Sequence, residues 1–239
     1  MSNWEKLIEE YNDMRYFATD PVAVVRRCST QRDIEVMGIV CSWLALGNRN
    51  QIFKKCCMAY DLMGGEPYDY VMSEQWREYK ESGVNFYRMF FYRDFYDLMQ
   101  SLYNVYSRFE TLEDAIVFAQ NSGLNGEKMS MLEALISLFN ANGIPQNTKS
   151  ACKRLCLFLR WMVRRDGIVD LGVWNRFSPA DLLIPLDVHV NRVAREHGLL
   201  TRTSADMRAV QELTNKCKEL YPCDPAIMDF ALFGAGYNG

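Results

Sequence analysis

Met131-Leu132-Glu133-Ala134-Leu135-Ile136-Ser137-Leu138-Phe139-Asn140-Ala141-Asn142-Gly143-Ile144-Pro145 is the stretch on which the fold turns. Met131, Leu132, Leu135, Ile136, Leu138 and Phe139 keep the three- and four-residue spacing of a short amphipathic helix. Asn140 to Pro145 then supplies the residue types that stop a helix and open a turn. A tight hairpin is expected next, with Asn147 or Thr148 capping a second helix that runs to about Arg165. Ala151, Leu155, Phe158, Leu159 and Met162 form the apolar stripe of that helix.

The same helix carries an unusual charge pattern. Residues 149–165 hold six cations and no carboxylate, roughly three times the chain's average cationic density. At about 100° per residue, Lys149, Lys153, Arg160 and Arg164 fall within a sector of about 60°. A continuous basic stripe of this kind suits a polyanion, although a solvated helix face has the same signature.

Upstream, helical spacing dominates and no stretch alternates with period two between hairpin turns, so the chain reads as all-α with about ten helices and few or no strands. Helix starts are marked by Thr30 with Asp33, Thr111 with Asp114, Ser204, and Asp224-Pro225. Asp33 to Leu46 is apolar on several faces, as a helix in the centre of a bundle must be, and stops at Gly47. Asn48-Arg49-Asn50 separates it from a second pattern that ends at Gly64-Gly65-Glu66-Pro67. The aromatics crowded between Trp76 and Phe109 read as packing residues. No repeat or Gly/Pro/Ser-rich linker divides the 239 residues, so one unit of two lobes is expected.

Downstream lies Ile184-Pro185-Leu186-Asp187-Val188-His189-Val190-Asn191-Arg192-Val193-Ala194-Arg195. Pro185 sets an extended lead-in, and Asp187 stands where a helix N-cap belongs, held as an anion by free backbone N–H groups and the helix dipole. Capping alone accounts for an aspartate at such a position. Eight cysteines in a chain of this size read as reduced thiols within helical patterns. With His189 and His197 the only histidines and no paired Cys-x-x-Cys units, zinc and iron–sulfur ligand sets are missing, and no metal or cofactor is expected. The net charge of −3 argues against indiscriminate coating of nucleic acid while allowing a local basic face. No apolar run approaches the ~20 residues of a membrane helix, and Met1 to Lys6 lacks the layout of a signal peptide. A soluble, cytoplasmic monomer is the expectation.

A hairpin between helices, a lysine on the second helix, and the segment Pro185-Leu186-Asp187-Val188-His189-Val190-Asn191-Arg192-Val193 together resemble the helix-hairpin-helix DNA glycosylase superfamily. The segment from Ile184 to Val190 is especially similar to the 8-oxoguanine branch, including its archaeal type, and the whole pattern resembles a bacterial family built on it. The resemblance spans about Asp33 to Phe233, with the helix-hairpin-helix and catalytic segment at about 129–198. It implies a two-lobed helical bundle acting on double-stranded DNA that contains a damaged base. Asp187 is implied as the catalytic carboxylate and His189 as a phosphate contact, with Lys149, Arg154 and Arg192 on the DNA-facing side. Leu44 to Ile52 resembles the loop that fills the gap left by a flipped base, which implies Asn48, Arg49 or Asn50 as the wedge. The chain departs from the pattern twice: Gly143-Ile144-Pro145-Gln146-Asn147 replaces Gly-x-Gly, and Asp166 to Asp181 lengthens the spacing from lysine to aspartate.

In members with lyase activity the lysine precedes a run that continues the buried helix, and Lys153-Arg154-Leu155-Cys156-Leu157-Phe158-Leu159 meets that condition better than a frame starting at Lys149. Lys153 would attack the sugar C1′ of a flipped nucleotide and form a Schiff base, with Asp187 accepting a proton or stabilising positive charge on the sugar. Phe230 and Phe233 are candidate base-stacking residues, with a core role as the alternative. The expected activity is excision of an oxidised purine such as 8-oxoguanine, with strand-nicking lyase activity where the Schiff base forms. A non-catalytic nucleic-acid-binding helix-hairpin-helix protein and a helical scaffold for protein partners are the competing readings.

Overall fold

Thr30 caps its helix as its spacing to Asp33 predicts: the hydroxyl accepts from the Asp33 backbone N–H at 3.2 Å, and the helix then runs for 14 residues. Thr111 does the same for the helix that follows it. The computed structural model describes residues 2–123 and 127–237, and among these the chain is all-α with one small two-stranded sheet. Two compact units divide it, residues 1–18 with 148–239 and residues 19–147.

The first unit opens with α1 (Asn3–Tyr11), capped by a reciprocal Ser2–Glu5 pair, and a 3-10 turn. The second unit is built on α2 (Pro21–Val25), α3 (Gln31–Leu44), α4 (Arg49–Leu62), α5 (Pro67–Ser73), α6 (Tyr92–Tyr106), α7 (Leu112–Gln120) and α8 (Met131–Ser137). Eleven of the 14 residues of α3 are buried, so this helix is the centre of the unit, as its all-round apolar pattern predicts. Glu35 on α3 is fully buried and accepts from the Leu112 backbone N–H at 2.8 Å and the Tyr106 hydroxyl at 3.0 Å, so it caps α7 from outside. The aromatic stretch is packing: Phe86 stacks on Phe95 at 5.0 Å and Trp43 on Phe90 at 4.3 Å. Within it, β1 (Asn85–Tyr87) and β2 (Phe90–Phe91) pair as an antiparallel hairpin. Gly143 (φ +87°) lies so close to Phe90 and Trp43 that a Cβ would be 2.6 Å from the Phe90 ring.

The first unit resumes with α9 (Lys153–Val163), α10 (Val188–Glu196), α11 (Met207–Leu220) and α12 (Met228–Tyr237). The helix expected from Asn147 or Thr148 starts at Lys153 instead. Ser150 bridges to Asp206, the Lys149 carbonyl accepts from the Met207 N–H at 3.4 Å, and Cys152 turns left-handed at φ +47°. With the 149–150 backbone held against 206–207, its groups are not available to a first helical turn. Asp206, not Ser204, caps α11. Tyr11 of α1 fills the space that a side chain at Gly234 of α12 would need, with its ring 2.2 Å from an added Cβ. Cys41, Cys56, Cys152, Cys156 and Cys217 are buried, as apolar helical positions predict, and no disulfide joins any of the eight cysteines.

Candidate functional site

Asp187 is the N-cap of α10. Its Oδ1 accepts from the backbone N–H groups of His189 and Val190, both at 2.9 Å, and this leaves Oδ2 available to a second partner. The approach is fixed by burial of Ile184, Pro185 and Leu186 and by the Ile184 N–H, which donates to the buried Thr214 hydroxyl at 3.1 Å. Lys153, the first residue of α9, places its Nζ 3.2 Å from Asp187 Oδ2. Two helix N-termini thus meet around a lysine and a carboxylate. A helix start is an unfavourable position for an ammonium, and the carboxylate offsets it. Burial raises the Asp187 pKa, but Lys153 and the backbone N–H groups of Val190 and His189 outweigh burial and hold it below the usual carboxylate value. Both side chains are about one-third exposed, 35% for Lys153 and 31% for Asp187, so the pair is open to solvent.

Around the pair, Val188 and His189 are exposed on the first turn of α10. Arg192 is exposed one turn on and pairs with Glu196 at 2.8 Å, a surface contact of small energetic weight. Arg154 is half-buried, and burial lowers its pKa. Lys149 is exposed but lies ahead of α9, so it does not share a helix face with Lys153.

The expected basic stripe ends after its first turn. Arg160 and Arg164 are each 2% exposed and lie among carboxylates. Arg160 Nε pairs with Asp170 at 3.1 Å and its Nη1 with Asp229. Arg164 pairs with Asp170 at 2.5 Å and with Asp166 and Asp224 at 2.9 Å each. Asp166 and Asp170 belong to the segment whose sequence lengthens the spacing from lysine to aspartate, so that segment neutralises the lower half of the stripe. Phe230 is 1% exposed and lies beneath the guanidinium groups of Arg160 and Arg164, at 4.5 and 5.2 Å from its centroid. It is a core residue rather than the wall of an open base pocket. Phe233 is half-buried and packs on Tyr11 and Phe17.

Asp229 is the residue the sequence reading missed. It is largely but not fully buried, and desolvation outweighs Arg160 to push its pKa up to about 6, with Asp187 raising it and Lys153 lowering it. Only the tertiary arrangement of α9, α10 and α12 couples this carboxyl to the pair, and no spacing in the sequence marks it.

The loop expected to supply a wedge belongs to the second unit. Asn48 is the cap of α4: its Oδ1 accepts from the N–H groups of Asn50 at 3.0 Å and Gln51 at 3.3 Å. Arg49 pairs with Asp20 at 3.5 Å, and Asn50 is exposed on the first turn. A cavity of about 750 Å³ at the start of α3, lined by Arg27, Arg32, Tyr60 and Tyr68 with four carboxylates, contains neither Lys153 nor Asp187.

Fold and site together define an all-α protein with an accessible lysine–carboxylate pair at two helix starts. A family model described as "Protein of unknown function (DUF2400)" matches residues 20–238, and the chain belongs to that family. No curated protein and no solved structure matches it. Among the described residues, no helix is long and apolar enough to cross a membrane.

Proposed function

We propose that this protein is a DNA glycosylase of the helix-hairpin-helix type, with lyase activity, that excises an oxidised purine such as 8-oxoguanine from double-stranded DNA in the cytoplasm. The observation that carries the reading is the contact of Lys153 Nζ with Asp187 Oδ2, with Asp187 Oδ1 clamped by two backbone amides. A lysine nucleophile must give up its proton to attack C1′, and a carboxylate within hydrogen-bond distance is the group to take it. As the C1′–N bond breaks, the electron pair leaves with the base, and the positive charge on the sugar is stabilised by the still-ionised Asp187, which takes the lysine proton only as the amine adds. The Lys153 amine adds to C1′; the C1′–O4′ bond then breaks, with the proton held by Asp187 passing to O4′, to give the protonated Schiff base, and loss of a C2′ proton with departure of the 3′-phosphate nicks the strand. His189 and Arg192 on α10, with Lys149 and Arg154, supply cationic and hydrogen-bonding groups for the phosphates. The protein acts as a monomer and uses no metal or cofactor.

Borohydride reduction in the presence of a duplex with one abasic site tests this directly, because only a Schiff base is reduced to a covalent adduct. We expect an adduct with the wild-type chain, and excision from one member of a panel of single-lesion duplexes. Binding without an adduct or excision would make the protein a non-catalytic nucleic-acid binder, and absence of salt-dependent binding would leave a helical scaffold.

A further inference from the structure

The hairpin β1–β2 and the Leu46–Asn50 loop form one surface within the second unit. The Tyr87 hydroxyl donates to the Leu46 carbonyl at 2.9 Å. The Arg88 guanidinium lies against Gly47, whose φ is +110°; an added Cβ there would be 2.4 Å from Arg88 Nη1. Tyr87 also borders a shallow depression of about 290 Å³ with Gln51, Lys54, Lys55 and Met58. The two segments that build this surface, residues 45–60 and 82–93, contain Arg49, Lys54, Lys55, Arg88 and Arg93 and not one Asp or Glu. Arg49 turns to Asp20 and Lys55 lies over the Phe86 ring, whereas Lys54, Arg88 and Arg93 are exposed. In a chain with net charge −3, this is a segregated cationic face.

The apex of the hairpin is unusual in both of its residues. Arg88 takes φ +53°, a left-handed conformation that two-residue hairpins ordinarily give to Asn, Asp or Gly. Met89 is 56% exposed, and Val84 on the approach is 63% exposed. Neither choice serves the core, so local strain and an exposed apolar side chain coincide at one tip. The tip is firmly held. Asn85 Nδ2 donates to the Arg88 and Phe90 carbonyls at 2.8 and 3.2 Å, and Phe86 and Phe90 anchor the strands on Phe95 and Trp43.

A rigid apolar tip among cations matches the chemistry of duplex DNA, where cations hold phosphates and an apolar side chain enters between base steps from the minor groove. We infer that the Arg88–Met89 apex is the element that probes the duplex: Met89 separates two stacked bases while Arg88 and Lys54 hold the neighbouring phosphates. This inference rests on the reading of the protein as DNA-binding, and it moves the wedge from the Asn48–Asn50 loop to the hairpin beside it.

The test measures the full chain against an abasic-site duplex by anisotropy at several salt concentrations, and against a duplex carrying 2-aminopurine, whose fluorescence rises on unstacking. The Lys54→Ala/Arg88→Ala variant should bind at least about tenfold more weakly and lower the slope of log K against log salt by about 2, with Lys80→Ala/Arg108→Ala as the unaffected charge control. Met89→Ala should keep the slope and lose the fluorescence rise. Arg88→Gly keeps the left-handed apex and an undiminished Tm, so its weaker binding cannot be a folding defect. Unchanged binding and fluorescence in these variants, with borohydride trapping intact, would overturn this inference alone. Tip-dependent binding without trapping would uphold it and remove the Lys153 chemistry. A wild-type chain that binds no duplex, or that prefers vesicles of anionic phospholipid to duplex, would overturn it.

Discussion

Lys153 at the first residue of α9 and Asp187 at the cap of α10 stand 3.2 Å apart, nitrogen to oxygen, at the starts of two helices. If that contact is the reactive centre, Lys153→Ala abolishes borohydride trapping and retains most of the affinity for an abasic-site duplex, whereas Lys149→Ala keeps trapping. Loss of the adduct in Lys149→Ala and its retention in Lys153→Ala would move the nucleophile to the segment ahead of α9.

Asp187→Asn separates the cap from the charge. Asn accepts the His189 and Val190 N–H groups nearly as well as Asp, so the unfolding free energy should fall only by the lost, partly exposed Lys153 pair, about 1 kcal/mol. Excision should fall by two or more orders of magnitude, because the anion is gone. Single-turnover kinetics and urea unfolding read the two effects; wild-type excision with a large stability loss would leave Asp187 a cap only.

Asp229 sets a pH dependence with a definite sign. Its folded pKa, about 6, lies above the usual carboxylate value of 3.8, so the folded state binds this proton more tightly than the unfolded state. The stabilisation is therefore complete below about pH 4 and lost as pH rises through 6, amounting to about 3 kcal/mol at most. Thermal unfolding of wild type and Asp229→Asn at pH 4 to 8 should show their difference changing in that window. A difference that stays flat would mean Asp229 does not titrate there.

Arg160 belongs to the interior. Its removal leaves the fully buried Asp170 and the largely buried Asp229 without that partner and strips the cover from Phe230. Arg160→Ala is expected to cost about 3 to 5 kcal/mol in urea unfolding. A loss under 1 kcal/mol would show that water replaces the guanidinium freely.

For Asn48 the expectation is a cap and nothing more. Asn48→Ala should destabilise by about 1 kcal/mol through the loss of its bonds to Asn50 and Gln51. Discrimination between abasic and intact duplexes should stay at the wild-type level. Loss of discrimination at unchanged stability would return the wedge to this loop.

The all-α character, the buried helix from Gln31 to Leu44, the caps at Thr30 and Thr111 and the cap at Asp187 were legible in the sequence, because helical periodicity and capping act over three or four residues of one chain segment. Lys153 and Asp187 were singled out through the family resemblance of the residues around them, and the fold puts the two side chains in contact. The same local logic misplaced what depends on distant partners. Periodicity put Lys149, Lys153, Arg160 and Arg164 on one face, but it carries no information about what covers a face. The carboxylates of Asp166, Asp170, Asp224 and Asp229 buried two of those cations, and pairing of 149–150 with 206–207 delayed the helix until Lys153. Asp229 and the Arg88–Met89 apex have no sequence signature at all. Desolvation, ion pairing and exposure are set by the neighbours that folding brings from elsewhere in the chain, and only the tertiary structure decides those.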